Sequence, residues 1–167
     1  VNNYLSGILP GLSAKVFRTH HATEAVCQSL TDCGVTPDDP EYKKREAAVL
    51  ANLAAAVLCN HTKKEPANWR GRLAYLREQR DRAAARVTRA QAKVEETKAK
   101  LEAVSQEGRE KTAAAPEKKR SQVRLRYQKR KQSLQRQLES AREQLGRARN
   151  VVGQVESRTR LARESRR

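Results

Sequence analysis

The sequence predicts an all-α chain in which a small helical head leads into a long antiparallel helix hairpin. Three observations carry this expectation. Apolar residues recur at gaps of three and four through most of the chain, the spacing that puts them on one face of an α-helix. Prolines and glycines stand between those runs, where they punctuate helices. The apolar content is 37%, with one Phe, one Trp and four Tyr in 167 residues, too little bulk for one large core.

Residues 1–12 read as a short amphipathic segment that ends at Pro10 and Gly11. Ser13 is placed to cap a second helix, whose apolar residues Val16, Phe17, Ala22, Ala25, Val26 and Leu30 keep helical spacing until Gly34 stops it. Val35 to Pro40 is a turn-rich connector. A third helix is expected from Glu41 to about Cys59, and its run from Ala47 to Leu58 is apolar enough to be the most buried part of the head. A head of this size buries only a modest core, so it is expected to pack against material outside this chain. Ala51, Ala54, Ala55, Val57 and Leu58 would allow close helix contact there. The sequence has no methionine and starts at Val1, which reads as a portion of a longer polypeptide.

After the loop Thr62 to Pro66 the pattern changes. Leu73, Leu76, Arg80, Ala83, Val87, Ala90, Val94, Thr97, Leu101 and Val104 form one series at alternating gaps of three and four. Tyr127, Lys131, Leu134, Leu138, Ala141, Leu145, Ala148, Val152, Val155, Thr159 and Ala162 form a second. Gly108 and Pro116 lie between them and can reverse the chain. Two helices folded back as a coiled coil follow from this, each arm about 60 Å long at 1.5 Å per residue. Small seam residues, charged Arg80 and Lys131 in the seam, and Gly146 and Gly153 in the returning arm predict a loosely held pair. The domain boundary is expected at 66/67, with the head at 1–66, the basic hairpin at 67–167 and the reversal near 108–117.

Charge divides the chain the same way. Lysine and arginine total 36 against 19 acidic residues, for a formal charge of +17. Residues 1–61 carry five basic and six acidic side chains, so the surplus belongs to the rest; from Glu117 onward 17 basic residues face five acidic ones. Long charged helices commonly present only a solvated face, but an evenly salt-bridged rod would be closer to neutral. The surplus favours a polyanion, nucleic acid first and an anionic membrane second. The basic helices lack the aromatic and leucine face needed for interfacial insertion, and no stretch approaches the roughly 18 apolar residues of a membrane span. Cys27, Cys33 and Cys59 are an odd number without a CxxC pair, which argues against a disulfide framework. With His20 and His21 they match no strong zinc spacing, so no metal site is expected. Asn60-His61-Thr62 matches the glycosylation sequon, but the start of the chain has no signal-peptide form and the protein is not expected to be secreted.

Two residues could carry chemistry. Arg18 lies near a helix start, where a guanidinium can make a bidentate contact to a phosphate. His61 directly follows an apolar helix, at a boundary from which its ring can enter a cleft. Taken singly, each also has an ordinary role, Arg18 in an ion pair and His61 at a helix C-terminus.

The segment Gly11-Leu12-Ser13-Ala14-Lys15-Val16-Phe17-Arg18-Thr19 resembles the part of eukaryotic- and archaeal-type type IB DNA topoisomerases that supplies the second arginine of their active site. Ala54-Ala55-Ala56-Val57-Leu58-Cys59-Asn60-His61 is similar to their helix ending in the active-site histidine, and Asn52 stands where the family tends to have asparagine and small residues. The motifs come in the family's order at about its separation, followed by a proline-containing loop, a tryptophan and a basic linker hairpin. The resemblance implies a helical fragment of a catalytic core like that of the topoisomerase IB and tyrosine recombinase folds. It implies that Arg18 clamps a nonbridging oxygen of the scissile phosphate and that His61 donates a hydrogen bond to it. A tyrosine would attack the DNA backbone, a 3′-phosphotyrosyl bond would hold the broken strand while the duplex swivels, and religation would need neither ATP nor an obligatory metal. Partners implied are double-stranded DNA and the remainder of the polypeptide, or a partner chain bearing the tyrosine, in a monomeric parent enzyme without membrane association. The location implied is the nucleus for a eukaryotic source, the cytoplasm or nucleoid for an archaeal one.

The family also uses an earlier arginine, a lysine general acid and a tyrosine after the linker in a Ser-Lys-x-Asn-Tyr-like segment. No such segment occurs here, and Tyr4, Tyr42, Tyr75 and Tyr127 lie in other contexts, so the chain alone is expected to be inactive. The alternative from another class is a noncatalytic coiled-coil nucleic-acid-binding protein with a topoisomerase-like head.

Overall fold

The computed structural model describes residues 1–61 and 66–165. These form five helices and no strand: α1 (Asn2–Ile8), α2 (Ala14–Asp32), α3 (Glu41–Leu58), α4 (Trp69–Ala114) and α5 (Glu117–Glu164). The chain is all-α, and it divides into two compact units, Val1–Gln79 with Gly153–Arg167, and Arg80–Val152. Most of the loop Thr62 to Pro66, and with it Thr62 of the sequon, lies outside the described residues. No described helix is long and apolar enough to cross a membrane.

In the first unit α1 leads into a type II turn. The Leu12 N–H donates to the Leu9 carbonyl at 3.0 Å, Pro10 fixes the second position and Gly11 takes the third at a φ of 84°, a conformation glycine adopts without Cβ strain. Ser13 occupies the extended N-cap position of α2, but its side chain makes no capping bond. The Ala14 N–H is satisfied instead by Asn2 Oδ1 at 3.1 Å, so the cap comes from 12 residues away. After α2 the Thr36 N–H and hydroxyl both donate to Asp39 Oδ2 at 2.9 Å. Lys43 Nζ reaches Asp39 Oδ1 at 2.8 Å. This pins the connector to the first turn of α3.

Helices α2 and α3 pack on each other. Among residues 1–61, α3 holds the buried ones, Glu46, Ala47 and Ala51. The expected burial does not extend to its end, because Val57 is 58% and Leu58 53% exposed. An apolar run that covers most of a helix's circumference needs neighbours on every side, and the first unit leaves Val57 and Leu58 uncovered.

The returning helix also meets α3 within this unit. A Cβ at Gly153 would lie 2.6 Å from Cζ of the Tyr42 ring. Glycine therefore lets the ring sit against the α5 backbone, and α5 is unbroken there and at Gly146. Nearby, Arg160 Nη1 lies 3.0 Å from Oε1 of Glu46. That oxygen is buried without a geometrically formed hydrogen bond, so the attraction is Coulombic. The first turns of α4 and the last of α5 bury Trp69, Leu76 and Ala162, with Leu73 packed on them.

The second unit is an antiparallel helix pair. Val94 packs with Leu138 and Ala141, and Leu101 and Leu145 join them. Later residues of α4 meet earlier ones of α5, as where the Tyr127 hydroxyl donates to Glu107 Oε1 at 2.8 Å. The predicted seam positions of both helices are buried or half-buried except Arg80 and Lys131. These two carry their charged heads to water on long stems, and Arg80 pairs with Asp81 at 2.9 Å. Gly108 is not a break. It is helical and buried, and a Cβ there would come within 3.1 Å of Tyr127 Cβ, so the helices approach closely at that point. The turn itself lies at Ala115 and Pro116, where Lys119 N–H donates to the Pro116 carbonyl at 2.8 Å.

Candidate active site and nucleic-acid interface

The end of α3 is built by a local rule. Cys59 N–H donates to Ala55 O at 2.9 Å, Asn60 N–H to Val57 O at 2.9 Å, and His61 N–H to Ala56 O at 2.8 Å. Asn60 has a φ of 55°. A left-handed residue after the helix, with these paired backward bonds from it and its successor, is a Schellman cap. The cap turns the chain out of the helix at Asn60 and leaves the Cys59 carbonyl and the His61 ring facing the same way.

Arg18 on the first turns of α2 meets both. Its Nη2 lies 2.7 Å from the Cys59 carbonyl oxygen and 2.8 Å from His61 Nε2. A guanidinium only donates. In this contact His61 Nε2 is therefore the acceptor. Both side chains are exposed, and Arg18 has no carboxylate partner among the described residues. Lys15, three residues earlier on α2, likewise forms no ion pair there. Two residues 43 positions apart thus converge on one solvent-accessible point, with one cationic donor and, among the described residues, no carboxylate beside it.

The structure shows two things that spacing did not bring out, the Cys59 carbonyl and the backbone of Asn60. An asparagine directly after an apolar helix is a recognisable signal for a left-handed cap, so Asn60 was legible in principle. The carbonyl was not, because its exposure depends on the cap. Of the tyrosines, Tyr42 lies against Gly153, and Tyr4 and Tyr75 are exposed. Tyr127 lies in the second unit, where its hydrogen bond to Glu107 raises the phenol above its ordinary value of 10.0. No cluster of three or more metal-ligating side chains occurs among the described residues.

The second unit carries the basic surface. One groove beside the turn is lined by Arg109, Arg120, Arg124 and Lys131 with Tyr127 and Thr112. A smaller one along α5 has Lys129, Ser133 and Arg136. On α5, acidic partners are present for Arg130, Arg147 and Arg160, whereas Arg124, Lys129, Lys131 and Arg136 have none among the described residues. Cations interleaved with neutral donors suit phosphate contacts without base readout.

Residues 1–96 match the family described as eukaryotic DNA topoisomerase I, catalytic core, and the chain belongs to that family. Both converging segments fall within the matched stretch. Similar curated relatives are DNA topoisomerase 1 of Drosophila melanogaster, 35% identical over 79 residues, and DNA topoisomerase 1 of Mus musculus and of Homo sapiens, each 38% identical over 66 residues. The fly match covers 47% of this chain, the mammalian matches 40%, and each covers 8% of the relative.

Proposed function

We propose that this chain is part of an ATP-independent type IB DNA topoisomerase, in which Arg18 and His61 stabilise the phosphoryl transition state. Residues 1–66 would be the end of the catalytic core and residues 67–167 a linker coiled coil. The observation that carries the reading is the approach of Arg18 Nη2 to His61 Nε2 at 2.8 Å. In this reading a nonbridging oxygen of the scissile phosphate replaces His61 as a partner of Arg18, and His61 exchanges its accepting role for donation through Nε2–H. A tyrosine from outside these 167 residues gives up its phenolic proton to water and attacks phosphorus, the 5′-oxygen leaves with a proton from a lysine also outside them, and a 3′-phosphotyrosyl bond forms. A further arginine completes the set. The 5′-hydroxyl later attacks that bond and restores the backbone, so neither ATP nor an obligatory metal is consumed. The exposed Ile8, Leu9, Val16, Phe17, Val57 and Leu58 would pack on the rest of the core. The unpaired cations of α5 would contact DNA phosphates away from the cleaved bond. We place the parent enzyme in the nucleus as a monomer.

The test is covalent attachment to supercoiled plasmid by the complete polypeptide, without ATP or divalent metal, after rapid denaturation. Arg18→Ala or His61→Ala should each lower the attachment rate by about a hundredfold or more, as when one preorganised donor to a transition state is lost. The chain of 167 residues alone should attach none. An unchanged rate in both variants would turn the reading toward a noncatalytic nucleic-acid-binding protein, which the basic surface of α5 would serve.

A further inference from the structure

We infer that Asn60 is a positioning residue, acting through its backbone conformation to aim the Cys59 carbonyl and the His61 ring at Arg18; this rests on the catalytic reading above. Among the described residues Asn60 is the one non-glycine residue with positive φ. Its exposed side chain has no hydrogen bond to another described residue. What it contributes to the site is therefore the turn of its main chain, a conformation that asparagine tolerates far better than most side chains and β-branched residues tolerate worst.

The consequence of that turn is geometric. With residue 60 in the right-handed region the helix would run on, turning His61 about 100° further around the axis at 3.6 residues per turn. The Cys59 carbonyl would then point along the helix toward a later N–H. With residue 60 left-handed, the bond from His61 N–H to Ala56 O at 2.8 Å fixes the ring's origin. The Cys59 carbonyl, having no intrahelical donor, is free to accept from Arg18 at 2.7 Å. One guanidinium nitrogen is thus held between two groups whose directions depend on a single φ. A misplacement of about 1 Å at such a site can cost about a hundredfold in rate.

The experiment compares Asn60→Gly, Asn60→Ala and Asn60→Val in the complete polypeptide. It measures single-turnover attachment to a duplex together with equilibrium DNA affinity and thermal unfolding. Glycine keeps the left-handed conformation, so its rate should stay within about twofold of the parent. Valine should lower the rate by about 10- to 100-fold with DNA affinity unchanged, and alanine, the milder change if the valine variant unfolds, should fall between. Equal loss in the glycine and valine variants would assign the effect to the Asn60 side chain and overturn the inference. So would full activity in all three, or a loss of DNA affinity equal to the loss of rate. Arg18→Ala and His61→Ala run alongside separate the two claims. If they are slow while Asn60→Val is fast, only the positioning role fails; if they are fast, the catalytic reading fails first.

Discussion

The helix pair of the second unit and the head helices of the first spend their apolar residues differently. In the pair, a strict seam meets its complement on the other helix, and Ala141 reaches 1% exposure. In the head, the longest apolar run of the sequence ends with Val57 and Leu58 more than half exposed. A two-helix seam needs one stripe per helix and is complete when two stripes meet. A helix that is apolar around most of its girth needs several neighbours, and periodicity alone does not say whether the chain supplies them.

The largest contrast should appear on truncating a leucine in each region. Leu138→Ala removes a buried seam residue and should destabilise the second unit by about 2–5 kcal/mol. Leu58→Ala should change stability by only about 0.5 kcal/mol or less in the isolated chain, as expected of an exposed position. Denaturant unfolding of the two variants measures both. Equal losses would erase the distinction between a self-sufficient seam and a partly covered head.

The glycines of α5 sharpen it further. Gly153→Ala drives a Cβ into the Tyr42 ring and should cost about 1–3 kcal/mol. The same change at Gly146, where a Cβ meets nothing within 4 Å, should stabilise by about 0.5–1 kcal/mol. Replacing Tyr42 with Ala alongside Gly153→Ala should recover much of the steric loss in a double-mutant cycle. Thermal unfolding of the four variants reads the signs directly.

The smallest effects are in pH dependence, and their signs oppose. Asp39 in the head is held well below the usual carboxylate range, first by the hydrogen bond from Lys43 and then by the Thr36 N–H. Its folded form binds a proton less readily than the unfolded one, so its contribution is present above about pH 4 and is lost as pH falls through the lowered value. Tyr127 in the helix pair is raised by its bond to Glu107. Its contribution is complete below about pH 10 and disappears as pH rises through the raised value. Asp39→Asn should flatten only the acid limb of stability against pH, and Tyr127→Phe only the alkaline limb. Melting curves across pH 2–12 test the pair.

How far the sequence could be read follows from the same contrast. Spacing identified the seam almost residue by residue, since a helix pair is decided by periodicity. It also set apart Arg18 and His61, but on the strength of their segments rather than any pattern that would bring them together. What it could not reveal were the long-range substitutions, Asn2 capping α2 in place of Ser13 and Tyr42 lying on Gly153. Those depend on which elements meet in space. Gly108 shows the same limit, because a glycine that allows close helix approach looks in sequence like one that ends a helix.

The central claim is that Arg18 answers the charge of the cleaved phosphate, and the most direct measurement replaces that charge. A duplex carrying one neutral methylphosphonate at the cleaved linkage, compared with the native phosphodiester, gives the attachment rate for the complete polypeptide with and without Arg18→Ala. The account predicts a penalty of about a hundredfold on the native linkage that shrinks to about tenfold or less on the neutral one. The same penalty on both linkages would contradict it.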